Sequence, residues 1–223
     1  MKKMIFLLVV IFSLLPALFF GQGNEYANAS SLKPDIEKGG QIYAELCISC
    51  HGPTGLGDEG GTYPRLAGQL ASAVIKQFAD IRSLQRDSMT MYPFTDPSMI
   101  SDVAEEIFEE PRDAAQVLAD IAAYLPTMGK MNTKPTVTGD GKNLDKGRSL
   151  YEKDCAACHG AKGEGNSEKV YPMISGQNFK YMVRQFKDII DDKRKNANQE
   201  MADKIKKYSE DDINAVLDFA SRL

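Results

Sequence analysis

The 223-residue chain has no tryptophan, only two histidines and only four cysteines. Two histidines exclude any His-rich metal centre, and they become decisive once their neighbours are read. Positive charge is not in excess: 27 Lys and Arg face 31 Asp and Glu, a net charge of -4, with a sequence pI near 5.3. That balance argues against nucleic acid as the main partner. No alternating apolar and polar stretch competes with helical spacing, so sheet is not expected.

What is present begins with a basic start, Met1-Lys2-Lys3, followed by a 17-residue apolar run over residues 4–20. This is the pattern of a secretory signal. The run falls just short of the about 20 residues that span a bilayer, so cleavage and retention as an anchor both stand. Small-residue cleavage patterns occur at Gly21-Gln22-Gly23 and Ala27-Asn28-Ala29. No cysteine follows the run directly, which excludes a lipid-attached one. Residues 1–29 are therefore read as a signal peptide or an N-terminal membrane anchor, and the chain as exported.

A shift of 108 residues lays one half on the other without a gap. Lys38, Gly39 and Tyr43 match Lys146, Gly147 and Tyr151. Gly55 and Gly57 match Gly163 and Gly165, Tyr63-Pro64 matches Tyr171-Pro172, Gly68-Gln69 matches Gly176-Gln177, and Gln77-Phe78 matches Gln185-Phe186. The chain is a tandem duplication of a unit of about 80 to 95 residues, the size of a small domain. The expected organisation is a first domain over 30–125, a linker over 126–140 and a second domain over 141–223. Apolar residues at helical spacing, Leu118, Ile121 and Leu125 in one half and Ile213, Val216, Leu217 and Ala220 in the other, make each half helical. Ser209 with Asp212 reads as a capping box for the last helix, and Pro111 as the opening of its counterpart. The fold class is all-α, in two domains.

The repeat also carries Cys47-Ile48-Ser49-Cys50-His51 onto Cys155-Ala156-Ala157-Cys158-His159. Four cysteines in an exported chain ordinarily pair as two disulfides, but C-x-x-C-H is the attachment sequence of a c-type haem. Two cysteines three apart on one helical turn can bond the two vinyl groups of one haem, and the adjacent histidine then reaches its iron. A zinc site needs about four Cys or His ligands, and each half offers three. A redox dithiol needs a strand-turn-helix context that is missing. The cofactors expected are two haems c, covalently attached through Cys47, Cys50, Cys155 and Cys158.

Both halves resemble class I cytochromes c, and the tandem arrangement resembles the di-haem cytochrome c4 family over residues 33–223. The carriers are CISCHGPTGLG with YPRLAGQ, and CAACHGAKGEG with YPMISGQ. The resemblance implies two class I domains, each wrapped around one haem, with His51 and His159 as proximal iron ligands. It places the proline whose carbonyl orients that histidine at Pro64 and Pro172, where a simple turn is the alternative. Met/His ligation is usual for electron carriers, and with both histidines on the proximal side neither haem can be bis-histidine. In the second half the segment ending at Met201 resembles the family's ligand segment. Met173 sits too near the proximal side, and Met182 reads as core. In the first half Met91, Met89 and Met99 are all open, and the family pattern favours Met91.

The first half departs from the family by an insertion over residues 94–110, read as an acidic helix opened by Asp96-Pro97. Arg86 and Arg194 occupy matching places, either pairing with haem propionates or lying solvated at the surface. Gly39 and Gly147, set against Tyr124 and Phe219, suit a close crossing of first and last helices. Charge is uneven: residues 30–125 carry 7 positive and 15 negative side chains, and residues 141–223 carry 16 and 14. The function implied is electron carriage in the periplasm, between a quinol-oxidising complex or dehydrogenase and a terminal oxidase or reductase, with redox proteins as donor and acceptor. A di-haem enzyme of peroxidase-like or thiosulfate-oxidising type, and an anchored subunit of a larger oxidase or dehydrogenase, are the alternatives.

Overall fold

The computed structural model describes residues 26–129 and 137–223. The 4–20 run, the Gly21-Gln22-Gly23 pattern and the middle of the 126–140 linker lie outside these residues. Among the described residues all regular structure is helical, with two isolated bridges, Arg86 to Arg194 and Asn166 to Tyr171. No described helix is long and apolar enough to cross a membrane.

The first half opens with α1 (Ile36–Ile42), whose cap Asp35 accepts from the amides of Glu37 and Lys38 at 3.1 Å. A π turn over Tyr43–Cys47 leads directly into α2 (Ile48–His51). Such turns recur at functional sites because the extra residue re-aims the side chains that follow. Then come α3 (Ala71–Arg82), α4 (Pro97–Phe108) and α5 (Ala114–Gly129). The second half repeats the plan with α6 (Leu144–Asp154), α7 (Ala156–His159), α8 (Phe179–Ile190), α9 (Gln199–Ile205) and α10 (Glu210–Ser221). In each half the first helix crosses the last, α1 on α5 and α6 on α10.

Glycine makes those crossings possible. A Cβ on Gly39 would lie 2.1 Å from the carbonyl oxygen of Asp120, and one on Gly147 would lie 2.1 Å from that of Ala215. Gly147 also meets Phe219, whereas Gly39 faces Asp120 rather than Tyr124; its neighbour Gly40 is the one against the Tyr124 ring. The first core gathers Ile42, Leu118, Ile121 and Leu125 with Tyr26 and Ala29, so the Ala27-Asn28-Ala29 pattern lies within a segment packed into that half. The second gathers Tyr151, Phe186, Ile213 and Val216, with Met182 buried among them.

The insertion is the helix expected. Asp96 caps α4 by accepting from the Ser98 amide, Ile100 and Ala104 are buried, and Asp102, Glu105 and Glu106 point outward. Helix α5 is opened by Asp113 and not by Pro111: the Asp113 carboxylate accepts from the Ala115 amide at 2.9 Å. A carboxylate can accept an unpaired first-turn N–H, which a proline two residues earlier cannot. Helix α5 carries on through Pro126 to Gly129. At the other end of the chain Ser209 and Asp212 form the capping box of α10. The buried Asp218 accepts from the amides of Gly139 and Gly141, tying the segment before α6 to the second half.

Candidate functional site

In both halves the Cys-x-x-Cys-His run ends a helix and is fixed by the same three contacts. Tyr43 donates its hydroxyl to the carbonyl of Gly52 at 2.6 Å, and Tyr151 donates to Gly160 at 2.7 Å. The amides of Gly57 and Gly165 close on the carbonyls of His51 and His159 at 3.0 and 2.8 Å. Gly52 and Gly160 have φ of 75° and 82°, a left-handed turn that glycine adopts without steric cost. The chain thus leaves the helix immediately after the histidine and folds back under it.

The returning segment supplies the third contact. His51 Nδ1 lies 2.9 Å from the carbonyl oxygen of Pro64, and His159 Nδ1 lies 2.9 Å from that of Pro172. A carbonyl can only accept, so Nδ1 carries the proton and the Nε2 lone pair is left free. Burial pushes both imidazoles below the ordinary histidine pKa, against the opposing effect of the proline carbonyls. Two neutral imidazoles held in one tautomer are suited to ligate a metal through Nε2.

Cys47 is buried, and Cys50, Cys155 and Cys158 are half-buried. Burial pushes the Cys47 and Cys155 thiols up to about 12, with Cys50 and Asp154 respectively adding to the effect. A thiol-exchange dithiol requires the opposite shift. The cysteines suit a permanent covalent attachment.

One continuous cavity of about 800 Å³ runs past both motifs. Its walls include Cys47, Cys50 and His51 on one side and Cys155, Cys158 and His159 on the other. Met91 and Met201 also line it, and so does Met89. Met91 packs against the first core and Met201, on α9, against the second, while Met89 is 71% exposed. Met99 packs into the first core and Met173 lies against Gly68. A cleft that brings paired thiols, a fixed imidazole and a thioether onto one apolar-walled cavity fits a haem, twice.

The halves meet across this cavity. Gln69 exchanges two hydrogen bonds with the backbone of Met173, and Gln177 exchanges two with that of Arg65, all at 2.9 Å. Arg86 and Arg194 are not solvated surface residues; they face each other across the seam. Arg86 donates to Gln77 of its own half at 2.6 Å and to Gln185 of the other at 3.0 Å. Arg194 donates to Gln185 at 2.8 Å and to Gln77 at 3.4 Å. Burial, then the neighbouring Arg86 charge, pushes Arg194 down to about 10. In the sequence these glutamines show only as the repeated Gln77-Phe78 and Gln185-Phe186, which does not by itself place them on a seam; Tyr181, also on the seam, has no repeated counterpart to reveal it.

Residues 34–108 and 142–219 each match the family described as cytochrome c oxidase, cbb3-type, subunit III. The chain is 31% identical to a cytochrome c4 of Azotobacter vinelandii, across 82% of this chain and 87% of that protein. It is 29% identical to a thiosulfate dehydrogenase electron acceptor of Stutzerimonas stutzeri (strain A1501), across 86% and 85% of the two chains. The crystal structure of reduced recombinant cytochrome c4 from Pseudomonas stutzeri superposes with a TM-score of 0.66 at 25% identity, covering 86% of this chain and 100% of that one. With one Cys-x-x-Cys-His motif inside each matched segment, the chain carries two haems c and belongs to the cytochrome c4 family of electron carriers.

Proposed function

We propose that Cys47 and Cys50 hold one haem through thioether bonds and Cys155 and Cys158 the other. His51 and His159 would hold the iron through Nε2, and Met91 and Met201 would hold it through their thioether sulfurs. The observation that carries this reading is the doubled histidine geometry, with Nδ1 on a proline carbonyl at 2.9 Å in both halves and a methionine on the same cavity. Met91 is favoured over Met89 because a side chain packed on the core can hold a fixed position, whereas Met89 is 71% exposed. Arg86 and Arg194 serve the haem propionates: no carboxylate of the described residues lies within ion-pair distance of either guanidinium, and both line the cavity.

A haem iron held by a histidine and a methionine of the chain would leave substrate no open position, so the chemistry it would supply is outer-sphere electron transfer. The chain is an exported, periplasmic carrier and not an enzyme, soluble after cleavage of its leader or tethered by it. The donor is a quinol-oxidising complex or a dehydrogenase, and the acceptor a terminal oxidase or reductase. The relative that is itself an electron acceptor for thiosulfate dehydrogenase supports the dehydrogenase as donor.

The test is the weak near-infrared band that reports sulfur-to-iron ligation. Met201→Ala should remove half of it and lower one of the two potentials, Met91→Ala should do the same for the other haem, and Met89→Ala should change neither. A full band in Met91→Ala would displace that residue, and an open sixth position in the native protein, shown by fast turnover of hydrogen peroxide, would favour the peroxidase-like alternative.

A further inference from the structure

Because the repeat is a plain shift of 108 residues, every seam position has an equivalent in the other half, and departures from symmetry stand out. Arg86 and Gln77 answer to Arg194 and Gln185, and their four hydrogen bonds match in pairs. Tyr181, on α8, has no such counterpart: the equivalent position in the first half is Ala73. Its hydroxyl oxygen accepts from Nη2 of Arg86 at 2.5 Å, and its ring lies 5.3 Å from the Arg184 guanidinium. The remaining bond of Arg194 goes from Nε to Asn196 at 2.9 Å, within its own half. Arg86 is therefore held by one partner of its own half and two of the opposite half, and Arg194 by two of its own and one of the opposite half.

Both guanidiniums donate only to neutral acceptors. The Asp80 and Asp188 carboxylates act on Arg194 from beyond ion-pair distance, bonded instead to Asn196 and Gln185, so the pair still favours an anion placed directly against it. The Tyr181 oxygen accepts from Arg86 and its own proton goes to none of the described residues, so it remains available to a group in the cavity. One corner of the seam thus sets a charged donor and a neutral O–H donor side by side. Among the described residues Arg194 donates to the amides of Asn196, Gln185 and Gln77 and to no hydroxyl, although the Tyr181 phenol is near enough to feel its charge.

We propose that Tyr181 is a positioning residue that makes the two haem environments unequal: its hydroxyl anchors Arg86 and completes a carboxylate-binding corner on one side of the seam, and so sets how an electron is shared between the two haems. This rests on the reading that the haem propionates face Arg86 and Arg194. A propionate neutralised by fixed donors does less to favour ferric iron nearby, so losing one donor lowers the potential of the haem it serves. The surroundings of the phenol agree. Although burial pushes its pKa up, the charges of Arg86, Arg194 and Arg184 together draw it below the ordinary tyrosine value.

Redox titration of the two-haem protein, followed by visible spectra, tests the proposal with Tyr181→Phe, which keeps the ring against Arg184 and removes only the hydroxyl. One potential should fall enough to change the electron distribution between the haems by about threefold to tenfold, with haem content and the near-infrared band unchanged. Wild-type potentials in Tyr181→Phe, or an equal shift of both, would overturn it. Arg86→Gln separates this from the reading beneath it. If both variants leave both potentials in place, the guanidiniums do not serve the propionates; if only Arg86→Gln moves them, the role of Tyr181 alone fails. Should Tyr181→Phe not assemble, ¹³C spectra of ring-labelled tyrosine in the native chain give a second readout. A Tyr181 Cζ resonance that follows one of the two reduction steps supports the proposal, and one that follows both equally overturns it.

Discussion

The two halves agree to within about two tenths of an ångström next to the histidines and diverge most on the side away from the cavity. The histidine-to-proline contact is 2.9 Å in both, and the tyrosine that pins the end of the motif donates at 2.6 and 2.7 Å. Away from the cavity the first half adds α4, buries Tyr26 in its core and extends α5 to 16 residues, against 12 for α10. Even equivalent helices start differently. Asn178 caps α8 by accepting from the Tyr181 amide and donates to the Asp58 carbonyl of the other half, while α3 begins after Leu70 with no side-chain cap. The lesson is that duplication preserved the inner wall, where holding a haem in each half tolerates little displacement, and released the outer one. There each half answers only to solvent and partners.

The largest expected effect breaks the equivalence outright. Replacing Cys155 and Cys158 with alanine should leave a chain with one haem by mass spectrometry and one band on a haem-stained denaturing gel, the first half still loaded. Loss of both haems would mean that the halves do not assemble independently and that the seam is needed for attachment.

A smaller effect concerns partners. The first half exposes Glu105, Glu106 and Glu109 beside α4, and the second exposes Lys195, Lys206 and Lys207 near α9. Complementary charge speeds encounter and is screened by salt over about 8 to 10 Å. Reversing Lys195, Lys206 and Lys207 to glutamate should slow electron transfer with an acidic partner and flatten its salt dependence, with exchange at the first half nearly unchanged. Lys204 is left out because it lines the cavity. Unaltered rates and salt slopes for every partner would reduce these charges to solubilising ones.

The smallest effect sharpens the comparison at the caps. Lys146, followed by Ser209, holds the Asp212 carboxyl at about 2, below its ordinary 3.8. A depressed folded-state pKa stabilises fully above the unfolded value and is lost as pH falls through the folded one. Asp212→Asn should therefore lower the Tm of the second half slightly at pH 6, and the difference from the native chain should shrink as pH falls towards and through about 2, as thermal melts by circular dichroism will show.

Much of the site was legible because its chemistry is local. A haem attachment needs Cys47, Cys50 and His51 on one turn, so their spacing survives in the chain as written, and the shift of 108 exposes the second set. The insertion was legible for a similar reason, since Asp96-Pro97 announces a helix start wherever it occurs. Pro111 misled because proline marks a boundary without saying which neighbour has its carboxylate within reach of a free amide; Asp113 did. The place of Arg86 was undecided for a different reason. Its partners Gln185 and Tyr181 are 99 and 95 residues away, and no local pattern records a contact across that separation.

The sequence by itself determined that the chain is helical and duplicated, and that each half carries one c-type attachment motif, because helical periodicity, covalent spacing and repeat identity are written residue by residue. Only the tertiary structure decided that both motifs open onto one cavity, and that Arg86 and Arg194 meet across it with Tyr181 on one side alone. A seam is a property of two surfaces brought together. Its hydrogen bonds depend on how the halves pack and not on what stands next along the chain.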